Sequence, residues 1–182
     1  MTDLLVHPAW ADASHWSKVL LRLRAGGIDA VAAQLPLTSL SDDVAALRQS
    51  IARVEGPVVL VAHSYGGAVA TAGATRQEKV KSLVYIAAMA PDEGETVAQL
   101  LHRAEPHPQA PALAPDANGN LWMSQQGFAE AVAHESSDEE VFLMAATQKP
   151  TSVRCIMEPM TAPAWKQRRS WYLLATRDRV IG

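Results

Sequence analysis

The sequence predicts an α/β fold, a three-layer sandwich in which a mostly parallel sheet lies between helices. Short apolar runs alternate with segments of helical periodicity through the first half of the chain, as in successive βαβ units. One of these runs leads into a serine-containing turn and then a helix, so the serine stands at the end of a strand. With 48% hydrophobic residues, the chain of 182 residues is apolar and long enough to bury a core as one domain.

Four strands are predicted in the first half of the chain, at residues 4–7, 28–33, 58–62 and 80–87. Helices are predicted between them because apolar residues recur every three to four positions in 14–24 and 41–51. The pair Gly26-Gly27 is expected to end the first helix, and Ser41 to begin the second. Strands and helices therefore alternate in the order that a parallel sheet requires.

The alternation stops after the fourth strand, where a long helical insertion is predicted. Prolines interrupt the insertion, and helical stretches are expected at 124–134, 138–148 and 152–157. An apolar run at 170–176 then resumes the sheet. The prediction is one domain over residues 1–182, with a core from 1–88 and 166–182 and a helical cap at about 89–165.

The turn after the third strand carries the pattern of a nucleophilic serine. Ala62, Ser64 and Gly66 match Gly-x-Ser-x-Gly, with the small residue Ala in place of the first Gly. The alternatives are a tightly packed turn without chemistry and a phosphate-binding loop. A phosphate loop would need Gly-x-Gly-x-x-Gly or a Lys-Ser/Thr pair after its glycines, and neither is present. Because a buried-type strand precedes the serine and a helix follows it, the nucleophile is favoured.

Composition argues against several other classes of function. A net charge of −3 gives no basic surface for nucleic acid, and no apolar run reaches membrane-spanning length. The single cysteine, Cys155, is expected to be a small buried residue, and with a start that lacks a signal peptide it predicts a cytoplasmic protein. The histidine spacing offers no metal site, so neither a metal nor a cofactor is predicted.

The chain resembles the α/β-hydrolase superfamily, and within it the short bacterial esterase-like members related to plant hydroxynitrile lyases and methylesterases. The serine turn and the end of the first strand at His7 are the most specific parts of the resemblance. The segments that carry it are 6–12, 36–40, 56–61, 62–67, 145–148 and 171–176. The resemblance covers essentially the whole chain.

The resemblance implies a role for particular residues. Ser64 would be the nucleophile, and the backbone N–H groups of Ala9 and Tyr65 would form an oxyanion hole, in which one donor is worth about 10²–10³ in rate. Asp178 would be the acid of a catalytic triad, on the same rim of the sheet as Ser64. The candidates for the apolar lining of the substrate pocket are Trp10, Trp122 and Met123.

Two departures from the family pattern bear on activity. Pro8 stands where the family usually has Gly, next to the expected oxyanion hole. The triad histidine of the family follows the acid, whereas all six histidines of this chain precede Asp178. We therefore expect a C-terminally truncated member, without the last strand and helix, whose activity is doubtful. Its strand at 170–176 would be an open sheet edge, and a homodimer covering that edge is a hypothesis.

Three functions follow, in order of preference. The first is a serine-type hydrolase of a small carboxylic ester, which acts through an acyl-enzyme at Ser64. The second is a small-molecule binding or interaction protein that keeps the fold without the chemistry, which the missing histidine favours. The third is a carbon–carbon lyase of the hydroxynitrile type, which ranks last because Pro8 stands where such lyases carry Thr.

Overall fold

The structure, a computed structural model, describes residues 1–103 and 105–181. The strands within these residues are β1 (Thr2–Val6), β2 (Ala30–Ala33), β3 (Val58–Ser64), β4 (Val80–Ala88), β5 (Asn120–Leu121), β6 (Thr151–Ser152) and β7 (Arg169–Leu173). The main sheet has the strand order β2-β1-β3-β4-β7, and every neighbouring pair in it is parallel. The predicted α/β fold with a parallel sheet is confirmed.

The helices in the described part of the chain are α1 (Ser17–Ala25), α2 (Leu40–Arg53), α3 (Gly66–Gly73), α4 (Val97–Leu101), α5 (Gln125–Gly127), α6 (Asp138–Thr147) and α7 (Arg154–Met157). None of them is long and apolar enough to cross a membrane. Helix α2 begins one residue before the predicted Ser41, because the Ser39 hydroxyl accepts the Asp42 N–H at 3.0 Å and so caps the helix. Gly26 follows α1, as its predicted role as a helix end requires.

The core of the sheet is built from the apolar runs that predicted its strands. Leu4, Leu60 and Leu83 lie on three adjacent strands, and all three are buried. Helix α2 adds an apolar face on which Leu47 is fully buried and packs against α3. The two helices approach so closely that a Cβ at Gly73 would lie 2.7 Å from the Leu47 side chain. The small residues of α3 therefore let it lie directly under the serine turn.

The segment between β4 and β7 has little regular structure. Helices α5, α6 and α7 fall within the three predicted helical stretches, and α5 continues as a π-helical turn, Phe128–Val132. Helix α4 and the antiparallel pair of β5 with β6 were not predicted. The segment also has a small apolar cluster of its own, in which Met123, Phe128, Ala133 and Val141 are buried.

Strand β7 forms one edge of the main sheet, and both of its faces are exposed. Each of its five residues is exposed, including the large side chains of Trp171, Tyr172 and Leu173. The strand ends earlier than the predicted residue 176, because its ladder with β4 stops at the pair of Ile86 with Leu173. Parallel sheets are normally covered on both faces, so this edge departs from the rule.

Candidate active site

Ser64 ends β3 and has a backbone φ of +51°, in the left-handed region that non-glycine residues rarely adopt. Helix α3 begins two residues later, at Gly66. A Cβ at Gly66 would lie 2.7 Å from the carbonyl oxygens of Val6 and His7. The strand, the turn and the neighbouring loop are therefore in backbone contact, and only glycine fits at this position. A strained serine between a strand and a helix is the arrangement found in nucleophile turns.

Ser64 lies on the walls of two cavities, which it shares with Ala9, Trp10 and Asp178. The larger cavity has a volume of about 890 Å³ and the smaller about 400 Å³. Tyr65 lines the smaller one. Because all strands of the main sheet are parallel, Ser64 at the end of β3 and Asp178 beyond the end of β7 lie on the same rim, as predicted.

Neither the backbone N–H of Ala9 nor that of Tyr65 donates a hydrogen bond to another described residue. The next N–H along the first loop, that of Trp10, donates to the Thr151 hydroxyl at 3.1 Å. Pro8 does not displace Ala9 from the cavity wall. The two N–H groups to which the resemblance assigns an oxyanion hole are thus available beside Ser64.

His7 holds the loop that carries Ala9. Its imidazole is fully buried, donates from Nδ1 to the Pro8 carbonyl at 2.9 Å and accepts the Leu35 N–H at Nε2 at 3.0 Å. Both ring nitrogens are therefore used, and the ring is neutral. Loss of solvation on burial lowers the pKa of His7 to about 4. This histidine supports the loop and does not face the cavities.

The side chain of Tyr65 is held by the buried carboxylate of Asp43, which the sequence analysis did not identify. Its hydroxyl donates to Asp43 Oδ2 at 2.6 Å, while Asp43 Oδ1 accepts the Leu37 N–H at 2.7 Å. Burial raises the pKa of Asp43, although the bond from Tyr65 lowers it in part. Cys155 is buried beside this carboxylate, and burial raises the pKa of its thiol to about 12. As predicted, it is a small buried residue, and it is not a nucleophile.

A pair of histidines lies at the wall of the larger cavity. His63 Nδ1 and His15 Nε2 are 3.1 Å apart, and the two rings stack with centroids 5.1 Å apart. Burial lowers the pKa of both, that of His63 to about 4, and the nearby Asp178 opposes the shift of His63. No imidazole among the described residues is hydrogen-bonded to the Ser64 hydroxyl. The two histidines lie 48 positions apart in the sequence, so no local pattern indicates that they pair.

Asp178 is oriented by its own turn. Its Oδ1 accepts the backbone N–H groups of Val180 at 2.8 Å and Ile181 at 2.9 Å. Neither neighbouring arginine is paired with it, since Arg177 pairs with Glu135 and Arg179 donates to the Glu130 carbonyl. Its carboxylate therefore remains an acceptor on the cavity wall.

Of the three predicted pocket residues, Trp10 lines both cavities, whereas Trp122 and Met123 line neither. The Trp122 indole is half exposed and is tied outward by its bond to Asp116 at 3.0 Å. Met123 is buried in the small apolar cluster defined above. The prediction that Trp122 and Met123 line the pocket is therefore wrong. The Trp122 indole is anchored at the surface, and the Met123 side chain packs in the apolar cluster.

Within residues 1–103 and 105–181, no three His, Cys, Asp or Glu side chains converge as metal ligands.

Residues 4–182 match the alpha/beta hydrolase family, and the chain belongs to that family. A carbendazim hydrolyzing esterase from Nocardioides sp. (strain SG-4G) is 48% identical over 50 residues. That match covers 27% of this chain and spans only 21% of the relative's length.

Solved structures share the fold at low identity. An extracellular alpha/beta-hydrolase from Paenibacillus, described as homologous in structure and function to tobacco salicylic acid binding protein 2, superposes with a TM-score of 0.82 at 18% identity, over 100% of this chain and 80% of that one. Polyneuridine aldehyde esterase gives 0.82 at 18% identity, over 99% and 82%. A pyrethroid hydrolase gives 0.81 at 20% identity, over 100% and 81%. At these identities the likeness concerns the fold.

Proposed function

We propose that this chain is a serine hydrolase that acts on a small carboxylic ester, with Ser64 as its nucleophile. The observation that carries the proposal is the position of Ser64. Ser64 lies between a strand and a helix with a backbone φ of +51°. It shares a cavity wall with Ala9 and Tyr65, whose backbone N–H groups donate to no other described residue. Membership of the alpha/beta hydrolase family and the esterase relatives support hydrolysis in general.

In the proposed reaction, the Ser64 oxygen attacks the carbonyl carbon of the ester and gives up its proton to water. The carbonyl oxygen becomes an oxyanion, and the N–H groups of Ala9 and Tyr65 donate to it. The bond from the carbonyl carbon to the alcohol oxygen breaks, the alcohol leaves with a proton, and an acyl-Ser64 ester remains. Water then attacks this ester and releases the carboxylic acid. Neither a metal nor a cofactor takes part in these steps.

Asp178 is the proposed acid, the residue whose carboxylate orients and stabilises an imidazolium in a complete triad. The turn that supplies two N–H bonds to Oδ1 fixes its direction. The segment at about 89–165 is the proposed cap over the site, because residues of α4 and of the π-helical turn complete the cavity walls opposite Ser64. A cytoplasmic location remains a prediction from the sequence.

A second candidate, a small-molecule binding protein on the same fold, is favoured by a different observation. No imidazole among the described residues is hydrogen-bonded to the Ser64 hydroxyl. A serine without a base is a weak nucleophile. Such a chain would bind an ester or acid in its cavities without turning it over.

The intact mass of the chain before and after treatment with a fluorophosphonate separates the two candidates. The hydrolase proposal expects an adduct on the wild type and none on Ser64→Ala. A folded wild type, verified by circular dichroism, that forms no adduct would overturn the hydrolase proposal and leave the binding protein.

A further inference from the structure

Thr151, in the short strand β6, holds the backbone of the loop that carries Ala9. Its side chain is fully buried, and its Oγ1 accepts the backbone N–H of Trp10 at 3.1 Å. Trp10 directly follows Ala9 and has a backbone φ of +58°, which is unfavourable for a bulky residue. A backbone N–H that is removed from water and left without an acceptor costs free energy. The Thr151 hydroxyl therefore supports a strained conformation of this loop.

The direction of the Ala9 N–H is fixed from both sides. In a planar trans peptide the carbonyl oxygen and the N–H point in opposite directions. The Pro8 carbonyl, in the same peptide unit as the Ala9 N–H, accepts a bond from the His7 ring at 2.9 Å. The next peptide unit is held by Thr151 through the Trp10 N–H. Both peptide units that flank the Cα atom of Ala9 are thus held in place.

The two-stranded ribbon of β5 and β6 also holds the Trp10 side chain. Leu121 pairs with Thr151 across the ribbon, and its carbonyl accepts the Trp10 indole N–H at 3.0 Å. The two N–H groups of Trp10 therefore bind to residues that face each other on neighbouring strands. The indole also packs against both apolar clusters of the protein. The ribbon thus fixes Trp10 at its backbone and at its side chain.

The same ribbon is connected to the second proposed oxyanion donor. Ser152, the next residue of β6, donates its N–H to the Leu37 carbonyl at 2.9 Å. The Leu37 N–H in turn donates to Asp43, which accepts the hydroxyl of Tyr65. Hydrogen bonds from two adjacent residues of β6 therefore lead to both halves of the proposed oxyanion hole.

We infer that Thr151 is a positioning residue for the oxyanion hole, and that it acts on the Ala9 N–H through Trp10. This inference rests on the hydrolase function proposed above. Thr151 does not line either cavity, so its hydroxyl acts without touching the substrate. Because β6 belongs to the proposed cap, the cap supports the oxyanion hole as well as completing the cavity walls.

Fluorophosphonate labelling of Ser64 tests the inference when the rate of the labelling step is measured separately from the affinity for the probe. Thr151→Val removes the acceptor and keeps the shape of the side chain. It is expected to slow the labelling step about tenfold to a hundredfold, because a displaced donor binds the oxyanion poorly. The affinity for the probe should change less than about threefold, since the donor is needed mainly in the transition state.

Two further variants separate the hydroxyl from general packing. Thr151→Ser keeps the hydroxyl and should label within about threefold of the wild-type rate. Thr75→Val is the matched control, since the Thr75 hydroxyl also joins the core to the proposed cap, at 2.6 Å from the Ala162 carbonyl, but lines neither cavity. It should label like the wild type. Slowing in either variant as large as in Thr151→Val would overturn the inference.

Circular dichroism verifies that each variant folds. If Thr151→Val does not fold, Thr151→Cys replaces it with the same expected slowing, because a thiol is only a weak acceptor. A folded Thr151→Val or Thr151→Cys protein that labels at the wild-type rate would overturn the inference.

Titration with acetate, followed by nuclear magnetic resonance of the ¹⁵N-labelled protein, tests the inference without turnover. A carboxylate oxygen can accept from the donors of the hole, so acetate should shift the amide resonances of Ala9 and Tyr65 in the wild type and in Thr151→Ser. In Thr151→Val the shift of Ala9 should be lost. This result would support the inference even if Ser64 forms no adduct and the hydrolase proposal fails. An Ala9 resonance that acetate leaves unmoved in the wild type, or moves equally in Thr151→Val, would overturn it.

Discussion

The hydroxyl of Tyr65 donates a 2.6 Å hydrogen bond to Asp43, and both side chains are buried beneath the serine turn. Asp43 also accepts the Leu37 N–H, so it connects the start of α2 with the loop before it and with the residue that follows Ser64. A buried carboxylate is costly unless its oxygens are bonded. This contact therefore fixes the direction of the Tyr65 backbone, whose N–H is proposed to bind the oxyanion.

Replacement of Tyr65 by Phe should lower the free energy of unfolding by about 1–3 kcal/mol, because it removes a donor from a buried carboxylate. Urea denaturation at neutral pH measures this change. Tyr85→Phe is the matched control, since the Tyr85 hydroxyl is buried against the neutral Thr71, which also donates to the Gly67 carbonyl. It should cost less, about 0.5–1.5 kcal/mol. Equal losses in the two variants would contradict a special role for Asp43.

His7 predicts a loss of stability in mild acid. Its folded pKa of about 4 lies below the usual 6.5, so the unfolded chain takes up a proton on His7 at a higher pH than the folded chain. The contribution of neutral His7 to the free energy of unfolding is fully present above pH 6.5. It falls as the pH drops towards 4, by up to about 3 kcal/mol.

The variant His7→Gln removes this titration and can be compared with the wild type by urea denaturation from pH 4 to 7. The variant is expected to be less stable at pH 7, because it disturbs two buried hydrogen bonds. The difference in free energy of unfolding between the wild type and His7→Gln should become smaller as the pH falls. Curves that remain parallel would show that His7 does not stay neutral in the folded state.

Gly66→Ala tests whether the serine turn depends on the absence of a side chain. The new Cβ would lie 2.7 Å from two backbone carbonyl oxygens, which cannot move independently of β1. Overpacking of this kind costs about 1–3 kcal/mol. It should also reduce the fluorophosphonate labelling of Ser64, because the turn must shift.

Gly26→Ala is the matched control for Gly66→Ala. Its Cβ would meet its nearest neighbour at 3.4 Å, which is ordinary contact, and its φ is −83°. We expect thermal denaturation to show a change within about 1 kcal/mol for this variant. A Gly66→Ala protein as stable as the Gly26→Ala protein would show that the approach of strand and turn is not tight.

The sequence predicted correctly those features whose determinants lie close together in the chain, namely the first four strands and the serine turn. The four strands of the first half of the chain were found because fully buried parallel strands read as continuous apolar runs. The Ser64 turn was predicted because the small residues that it requires, Ala62 and Gly66, lie within five consecutive positions of the sequence. Ser64 and Asp178 were placed on one rim because parallel strands end on the same side.

Contacts between distant residues could not be predicted in this way. Asp43 reaches Tyr65 across 22 positions, and nothing in an amphipathic helix marks one of its first acidic residues as buried. Strands β5 and β6 have two residues each, too few for any periodicity to appear. The resemblance made Trp122 a candidate for the apolar lining of the pocket, whereas its bond to Asp116 holds it at the surface.

The open edge at β7 leads to the last prediction, that the chain associates with itself as its concentration rises. Unpaired backbone groups flanked by large apolar side chains are a template for pairing. An antiparallel contact between two copies of β7 would satisfy these groups and cover Leu173, which is 62% exposed. Sedimentation velocity over a range of concentrations should therefore show a dimer.

Leu173→Lys should shift this equilibrium towards the monomer, because a charge on an edge strand opposes pairing. Leu21→Lys provides the matched control, since Leu21 is 68% exposed on α1, away from the edge. If both variants associate like the wild type, β7 is not the contact. A wild type that sediments as a monomer at every concentration would exclude self-association, and the apolar faces of β7 would then be tolerated in water.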